Sequence, residues 1–283
     1  MELTGTHSSD PNQTKAVAII PARYESSRLP GKALLEIGGQ PMICRVAAQA
    51  NAAKNVSRVI VATDDQRIVL AVEAAGFEAM MTKREHASGT DRLAEVAAKL
   101  DAQIIVNVQG DEPLISPETI ERAITLLATH PSAGMATTWE PIAEPADVLN
   151  PDLVKIVVDD GGRAIYFSRA PVPWPRDAVR HHGSLENALI NEPSLLATFR
   201  KHTGLYVYRR EVLLNFSKWP QTALERQESL EQLRALEHGI EILAIEASSP
   251  SIGVDTQQDL ERVRQMVSSS GSATTKVQVL SGA

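Results

Sequence analysis

Three basic residues, Arg23, Arg28 and Lys32, follow the short apolar run 17–20. The only acid among them is Glu25, so this segment is locally basic within a chain whose net charge is −7. Two guanidiniums and an ammonium that face one cavity repel each other unless an anion binds between them. Arg binds phosphate through paired N–H groups, and Lys binds it as a point charge. We therefore expect this loop to bind the triphosphate of a nucleotide.

The loop matches neither of the two common phosphate-binding fingerprints. The Gly-x-x-x-x-Gly-Lys-Ser/Thr pattern is absent, and no Gly-x-Gly-x-x-Gly follows the apolar run. Gly31, directly after Pro30, allows the backbone to approach a ligand closely. A solvated basic turn is the alternative, but the position of the loop after a predicted buried strand favours phosphate binding.

Two acidic segments supply carboxylates of the kind that bind a divalent metal. Asp111 and Glu112 follow the apolar run 104–108, and Asp255 precedes a final helical segment. Mg²⁺ prefers carboxylate oxygen and shares its coordination shell with phosphates. Each acid could instead only cap the helix that follows it. If Asp111 and Asp255 flank one metal opposite the basic loop, the arrangement is the one that nucleotidyl transfer requires.

Three further polar clusters, at 88–92, 166–171 and 200–206, could contact substrates. Ser88 could also be only a helix N-cap. Arg169 and His202 stand at predicted strand ends and could hold an acidic second substrate. A purely structural role is the alternative for each cluster.

The first half of the chain alternates strand and helix patterns. Strands are predicted at 17–20, 59–62, 77–81 and 104–108, and helices at 41–53, 67–75, 90–100 and 117–129. This repeated order predicts an α/β fold with a doubly wound, mostly parallel sheet. Ligands bind beyond the carboxyl ends of the strands in such sheets, so the basic loop and Asp111 should share one site.

The second half predicts a smaller antiparallel extension. Its predicted strands are 153–158, 164–168, 202–208 and 240–244, and its helices are 228–238 and 256–266. The stretch 176–194 is predicted to be a surface loop, so we do not expect its adjacent His181 and His182 to bind a metal. Residues 1–15 are expected to form a flexible lead-in and 268–283 a flexible tail. One domain, 16–267, remains, with a nucleotide half at 16–140 and a second half at 141–267.

Composition narrows the class of protein. Of the 283 residues, 43% are hydrophobic and 22% charged, as in a globular protein with a proper core. The negative net charge argues against a nucleic-acid partner. A single cysteine, Cys44, excludes an internal disulfide and a multi-cysteine metal site. The chain lacks an apolar run of about 18 residues and a signal-peptide pattern, so we expect a cytoplasmic protein without a membrane partner.

Taken together, these segments resemble the CMP-Kdo synthetases, the 3-deoxy-manno-octulosonate cytidylyltransferases, from about Val17 to Arg264. The resemblance rests on the segments 20–24, 28–32, 61–64, 88–95, 107–113, 166–169, 204–206, 230–234 and 253–256. It implies a fold like that of the nucleotide-diphospho-sugar transferases. It also implies the reaction of CTP with the acidic sugar Kdo to give CMP-Kdo and diphosphate, for lipopolysaccharide biosynthesis, in a homodimer formed through the second half.

The same resemblance implies a role for individual residues. Arg23, Lys32 and Asp111 would be catalytic, and Asp111 and Asp255 would bind Mg²⁺. The implied nucleotide contacts are Ala22, Arg23, Arg28, Lys32, Ser88, Arg92 and Gln109. The implied sugar contacts are Gln109, Arg169, His202, Tyr206, Glu228 and Gln232, with Arg169 pairing with the sugar carboxylate.

Three alternatives remain open. Another acidic sugar, such as 8-amino-Kdo or a sialic acid, would use the same chemistry, because the choice depends on a few side chains. A sugar-1-phosphate nucleotidyltransferase usually begins its loop with Gly-x-Gly, which Pro21-Ala22-Arg23 lacks. A non-catalytic nucleotide-binding regulator would be expected to lack the metal pair, whereas Asp111 and Asp255 are both present.

Overall fold

The computed structural model describes residues 15–278 apart from Ser27 and Ala87, with side chains as far as residue 269. The strands are β1 (Ala16–Ala22), β2 (Glu36–Ile37), β3 (Gln40–Pro41), β4 (Val56–Thr63), β5 (Glu78–Met81), β6 (Ile104–Asn107), β7 (Met135–Pro141), β8 (Lys155–Val158), β9 (Ala164–Ser168), β10 (Arg200–Arg209) and β11 (Ile242–Glu246). The helices are α1 (Met42–Ala52), α2 (Gln66–Ala74), α3 (Gly89–Ala97), α4 (Pro117–Thr129), α5 (Pro145–Leu149), α6 (Arg176–His182), α7 (Leu185–Asn191), α8 (Arg210–Phe216), α9 (Ala223–Glu228), α10 (Gln232–Glu237) and α11 (Gln257–Gln278).

One mixed sheet carries the fold over the described residues, with the strand order β11-β7-β10-β6-β1-β4-β5. Strands β6, β1, β4 and β5 are parallel neighbours, as the repeated strand–helix pattern predicts. The antiparallel part enters through β10, which pairs with β6 and β7 and continues into β8 and β9. The predicted α/β fold, a mostly parallel sheet with an antiparallel extension, is confirmed.

Helices cover both faces of this sheet because the central strand β1 is apolar on both. Ala18 and Ile20 belong to the core beneath α1 and α4. Val17 and Ile19 belong to the core beneath α3 and α8. Such strands, buried on both faces, read as the continuous apolar run that the sequence shows.

The chain reverses its direction of winding between β1 and β6. It passes from β1 outward to β4 and β5, and then crosses back to form β6 on the other side of β1. The loops after β1 and β6 therefore separate at the carboxyl edge of the sheet and leave a crevice there. They also touch, because a Cβ atom on Gly110 would lie only 2.7 Å from the Pro21 carbonyl oxygen. Only glycine allows this approach.

Of the predicted helix 228–238, the structure has α10 at Gln232–Glu237, whereas Glu228 is the last residue of α9 and a turn separates the two helices. Ser229 ends α9 in the left-handed conformation, with φ 54°. A buried ion pair between Arg234 and Glu225 joins the two helices. The apolar spacing across 228–238 does not reveal the break, because serine is an unusual residue for this conformation.

The prediction of a loop over 176–194 is wrong, because the chain forms α6 and α7 there. Gly183 ends α6 in the left-handed conformation, and the Ser184 side chain caps α7 by accepting a hydrogen bond from Asn187 N. Leu185 and Leu189, four residues apart, then pack in a small core with Phe199. Helices of seven residues are too short to show the periodicity on which a sequence prediction relies.

The terminal segments differ from expectation in one respect. Helix α11 was predicted to end at Met266 but runs to Gln278, so residues 268–278 are helical. Residues 279–283 and most of the predicted lead-in, 1–14, lie outside the described part of the chain. No helix among the described residues is long and apolar enough to cross a membrane.

Arg92 is a fully buried residue of α3 that ties this helix to β4. Its guanidinium forms an ion pair with Asp64 at 2.9 Å and also contacts the Thr82 hydroxyl. The predicted nucleotide contact for Arg92 is therefore corrected to a structural position, because the guanidinium faces the interior rather than a cleft. The polar cluster 88–92 does not reveal in the sequence that the Arg92 side chain points into the interior.

We expect Arg92→Met to lower the free energy of unfolding by about 3 kcal/mol, since it leaves the Asp64 carboxylate partly buried without its cation. The matched control is Arg58→Met, which breaks an exposed pair between Arg58 of β4 and Glu78 of β5. That change should cost at most about 1 kcal/mol. Urea denaturation measures both values, and equal losses would contradict the structural role of Arg92.

We expect Gly110→Ala to lower the free energy of unfolding by about 1–3 kcal/mol, because the new methyl group meets backbone rather than a movable side chain. Gly253→Ala is the control, since a Cβ atom there meets nothing within 4 Å. Thermal unfolding of the two variants compares them. Equal stability would show that the loops after β1 and β6 can separate without cost.

Candidate active site

The basic loop after β1 is held in place by a stacked side chain. Gly31, at φ +66°, donates its backbone N–H to the Tyr24 carbonyl and lies against the Tyr24 ring. The Arg67 guanidinium covers the ring at 3.2 Å from its centroid. Asp65 holds that guanidinium through two hydrogen bonds of 2.6 and 2.9 Å. The start of α2 therefore fixes the loop that carries Arg23, Arg28 and Lys32.

The two predicted metal ligands converge on one cation of this loop. Lys32 Nζ lies 2.6 Å from Asp111 Oδ2 and 3.1 Å from Asp255 Oδ1. Arg28 also reaches Asp255, at 3.1 Å. Burial would lower the pKa of Lys32, but the carboxylates of Asp111 and Asp255 outweigh it and raise this pKa above its ordinary value. The ammonium is therefore charged at every physiological pH.

Backbone contacts explain why residues so distant in sequence meet. Val254 N donates to the Asp111 carbonyl at 2.9 Å, which places Asp255 directly beside the loop after β6. Val254 itself is buried among apolar residues of α11 and β2. The cap of α11 is made by Thr256 and Asp259. The carboxylate of Asp255 therefore faces the cations instead of capping the helix.

These residues surround a cleft of about 360 Å³ at the carboxyl edge of β1 and β6. Its wall is mixed in charge, with three cations opposite two aspartates and one glutamate. The lining residues are Pro21, Ala22, Arg23, Glu25, Ser26, Arg28, Lys32, Ala33, Met42, Gln109, Gly110, Asp111 and Asp255. The basic loop and Asp111 therefore lie together at one cleft, where the sequence predicts a shared site.

The chemistry of the donor set fits a magnesium ion bound together with phosphate. Asp111 and Asp255 direct oxygens at one point, which the Lys32 ammonium shows to be suitable for a cation. Within the described residues, no group of three or more His, Cys, Asp or Glu side chains could hold a metal. Two carboxylates leave the remaining positions to phosphate oxygens and water, as is usual for Mg²⁺.

A second, smaller cavity of about 240 Å³ adjoins the cleft. Pro21 and Gln109 line both spaces, so they form the boundary between them. Gln109 is held there by a hydrogen bond of 3.1 Å from Nε2 to the Gly204 carbonyl. The other lining residues are Gly89, Thr90, Asn107, Tyr206, Tyr208, Ser229, Leu230, Glu231 and Gln232. Three predicted sugar contacts, Gln109, Tyr206 and Gln232, are brought together here.

Arg169 and Glu228 form a separate, connected pair at the end of β9. Glu228 accepts hydrogen bonds from the Ser168 hydroxyl at 2.7 Å and from Arg169 N at 3.0 Å. The Arg169 guanidinium donates to the carbonyls of Glu228 and Pro151. Backbone oxygens therefore hold Arg169 in one orientation, and no carboxylate among the described residues forms an ion pair with its guanidinium.

His202 lies between aromatic rings and is neutral. Its ring is 5.0 Å from that of Phe167 and 5.3 Å from that of Tyr206. Nε2 forms a 2.9 Å hydrogen bond with the Thr137 hydroxyl. Burial lowers the pKa of His202 to about 3. The prediction that His202 holds an acidic substrate therefore requires a neutral hydrogen bond rather than a charge.

The remaining predicted nucleotide contacts lie at the rim or below it. Ser88 and Asp91 form a capping box at the start of α3, with both hydrogen bonds at 3.2 Å. Ser88 therefore takes the N-cap position that the sequence offered as an alternative, and Arg92 is buried behind it. Arg23 lines the cleft and donates to the His86 carbonyl at 2.6 Å.

Several lining residues were missed from the sequence. Glu25 and Ser26 lie within the basic loop, but an acid and a small hydroxyl residue do not fit the phosphate-binding pattern on which the prediction for this loop rests. Asn107 lies two residues before Gln109, so the alternation of a strand was the available signal for it. No pattern in the sequence predicts that Tyr208 and Glu231 line the second cavity, because their position there depends on how β10 and α10 pack.

Comparisons with known proteins agree with this geometry. The family model for cytidylyltransferases matches residues 17–242. The chain is 52% identical over 246 residues to a 3-deoxy-manno-octulosonate cytidylyltransferase of Geobacter sulfurreducens, covering 87% of this chain and 96% of the relative. It is 51% identical over 257 residues to the enzyme of that name from Geotalea daltonii, covering 91% and 100%.

Solved structures extend the likeness to three dimensions. A CMP:2-keto-3-deoxy-manno-octonic acid synthetase complexed with CTP matches with a TM-score of 0.81 and 44% identity, covering 90% of this chain and 99% of that chain. A cytidylyltransferase from Leptospira borgpetersenii, 15% identical with a TM-score of 0.58, shares the fold. With its family match, its identity to these relatives and its cleft at the edge of β1 and β6, the chain belongs to the cytidylyltransferase family, among the 3-deoxy-manno-octulosonate cytidylyltransferases.

Proposed function

We propose that this protein transfers the cytidylyl group of CTP to Kdo and forms CMP-Kdo and diphosphate. The observation that carries the proposal is the convergence of Lys32, Asp111 and Asp255 beside Arg23 and Arg28. A relative of this chain has been solved with CTP, and others bear the name of the Kdo enzyme. Both observations support the choice of nucleotide and sugar.

The reaction joins two anions, so the first task of the site is to overcome their repulsion. Arg23, Arg28 and Lys32 would bind the triphosphate through charge-assisted hydrogen bonds. Asp111 and Asp255 would hold Mg²⁺, which supplies charge neutralisation at the phosphates when it is bound. The same cations stabilise the charge that develops on the leaving diphosphate.

The bond changes need no nucleophile from the protein. An oxygen lone pair of the anomeric hydroxyl of Kdo attacks the α-phosphorus of CTP and forms the new P–O bond. The bond from that phosphorus to the bridging oxygen breaks, its electron pair leaves with diphosphate, and the hydroxyl proton passes to solvent. Gln109, at the boundary of the two cavities, lies where the α-phosphate and the sugar would meet.

The sugar would occupy the second cavity and extend toward β9. Tyr206 and Gln232 line that cavity, and the ring of Tyr206 contacts that of His202. Arg169 would pair with the carboxylate of the sugar, with Glu228 holding its backbone. A second acidic sugar, 8-amino-Kdo or a sialic acid, would leave this mechanism unchanged.

The assembly and location are further parts of the proposal. We propose a homodimer formed through the second half of the chain, where Ile165 and Trp174 are 58% and 55% exposed. Burial of these two side chains in an interface would remove their apolar area from water. We also propose a cytoplasmic location, because both proposed substrates are soluble molecules.

The main test is diphosphate release from CTP and Mg²⁺ with Kdo, 8-amino-Kdo or a sialic acid. We expect release with Kdo and a fall in kcat of at least about 100-fold in Asp111→Asn, because one metal-binding carboxylate is lost. The control Asp101→Asn makes the same exchange of carboxylate for carboxamide at an exposed position outside the site, and it should keep the wild-type rate. If diphosphate is released only with another sugar, that sugar replaces Kdo as the proposed substrate. If no sugar leads to diphosphate release, the result favours a non-catalytic nucleotide-binding regulator.

A second test separates metal binding from turnover. Lys32 Nζ occupies the position between Asp111 and Asp255, so Lys32→Gln should bind Mn²⁺ about tenfold more tightly in the absence of nucleotide. The same variant should bind CTP more weakly, because a phosphate partner is lost. Electron paramagnetic resonance counts free Mn²⁺, and Lys54→Gln, at an exposed position, is the control. Unchanged affinities for both ligands would remove Lys32 from the site.

A further inference from the structure

One buried acceptor in the second cavity has no partner. Asn107 is the last residue of β6, is 3% exposed and lines the cavity. Its Oδ1 atom forms no hydrogen bond with any described residue. The large majority of buried side-chain polar atoms in proteins are hydrogen-bonded, and an unpaired one next to a cavity needs an explanation. A donor on a bound ligand would satisfy this oxygen.

Tyr208 lies beside the Asn107 side chain in this cavity. Burial raises the pKa of Tyr208, and hydrogen bonds with Thr90 and Asn107 act in the opposite direction. The Oδ1 atom is the end of the Asn107 amide that stays without a partner among the described residues.

The chemistry of the cavity selects a neutral donor. None of the lining residues that the structure describes is basic, and Glu231 adds a carboxylate. Thr90 donates to Glu231 Oε2 at 2.6 Å, so this carboxylate is fixed at the wall. A phosphate or carboxylate would be repelled here, whereas a hydroxyl group donates to an uncharged amide oxygen without cost in charge burial.

The position of the cavity points to the sugar rather than to the nucleotide ribose. Tyr206 and Gln232 form its wall, and Tyr206 continues through His202 toward β9 and Arg169. Gln109 separates this space from the basic cleft. Ser229, in the left-handed conformation at φ 54°, lies on the same wall. Strained backbone of this kind clusters at ligand sites.

We propose that Asn107 accepts a hydrogen bond from one hydroxyl group of the acidic sugar and thereby determines specificity for a sugar that carries it. This inference rests on the proposed function and adds a specificity residue to it. A site built around a buried acceptor discriminates strongly against an analogue that lacks the donor, because the acceptor then stays unpaired.

The test is a cycle between one side chain and one hydroxyl. Wild type and Asn107→Leu, which is similar in volume but lacks the acceptor, are assayed for diphosphate release with Kdo and with its analogues lacking the hydroxyl at C4, C5, C7 or C8. We expect Asn107→Leu to lower kcat/KM for Kdo about 10- to 100-fold. For one analogue the same substitution should have almost no effect, while KM for CTP stays unchanged.

Asn55→Leu is the matched control. Asn55 also has a buried Oδ1 atom without a partner, but it lies at the opposite edge of the sheet, before β4, and lines neither cavity. Its substitution should affect stability without changing the ratio of kcat/KM between Kdo and any analogue. If Asn107→Leu does not fold, Asn107→Ala enters the same cycle, and circular dichroism verifies the fold of each variant.

The outcomes separate the inference from the function on which it rests. Equal losses for Kdo and for every analogue would overturn the role of Asn107 while leaving the reaction intact. Coupling of Asn107 to 2′-deoxy-CTP instead of to a sugar analogue would also overturn it, by assigning the acceptor to the ribose. Absence of diphosphate release by the wild-type protein with Kdo would refute the proposed function, and the inference with it.

Discussion

The ion contacts of Lys32 with Asp111 and Asp255 are the constraint on which the site depends. They join three parts of the chain: the loop after β1, the loop after β6 and the segment before α11. Opposite charges at 2.6 and 3.1 Å attract strongly where water is partly excluded. The bond from Val254 N to the Asp111 carbonyl joins the two carboxylate-bearing segments independently of Lys32.

The cleft and the second cavity beside it differ in the charge of their walls. The cleft is rich in cations and suits polyphosphate, whereas the second cavity has acceptors and no basic lining residue among those described. By charge, the cleft therefore favours anionic groups and the second cavity favours neutral hydroxyl groups. Gln109, held by the Gly204 carbonyl, lies at the boundary of the two spaces, where the proposed function would bring the two ligands together.

The sequence predicted most of the fold because the relevant signals are local. The apolar runs of β1, β4 and β6 and the periodic helices α1, α2 and α4 all appear near their predicted limits. Helices α6 and α7 were missed because seven residues cannot show a period, and the break at Ser229 depends on a conformation that serine rarely adopts. Both features are stabilised by tertiary contacts that no short window contains.

The site residues that could be predicted from the sequence are those that lie in loops at the ends of strands. Gln109 and Asp111 come shortly after β6, and the loop that carries Lys32 follows β1, so the topology places all three at the same edge of the sheet. Arg92 was misassigned because a basic residue near a polar motif resembles a ligand contact, whereas its distance from the cleft is set by the inward face of α3.

Asn107, in contrast to Arg92, lines the second cavity but was not predicted as a site residue. It reads as part of an apolar strand, yet it is the strand's only polar residue, and the alternation of β6 turns it toward α3 and the second cavity. A buried amide at this position lowers stability unless something bonds to it. In the inference above, a hydroxyl group of the sugar supplies that bond, and the specificity of the site then extends one layer below the residues that a motif search identifies.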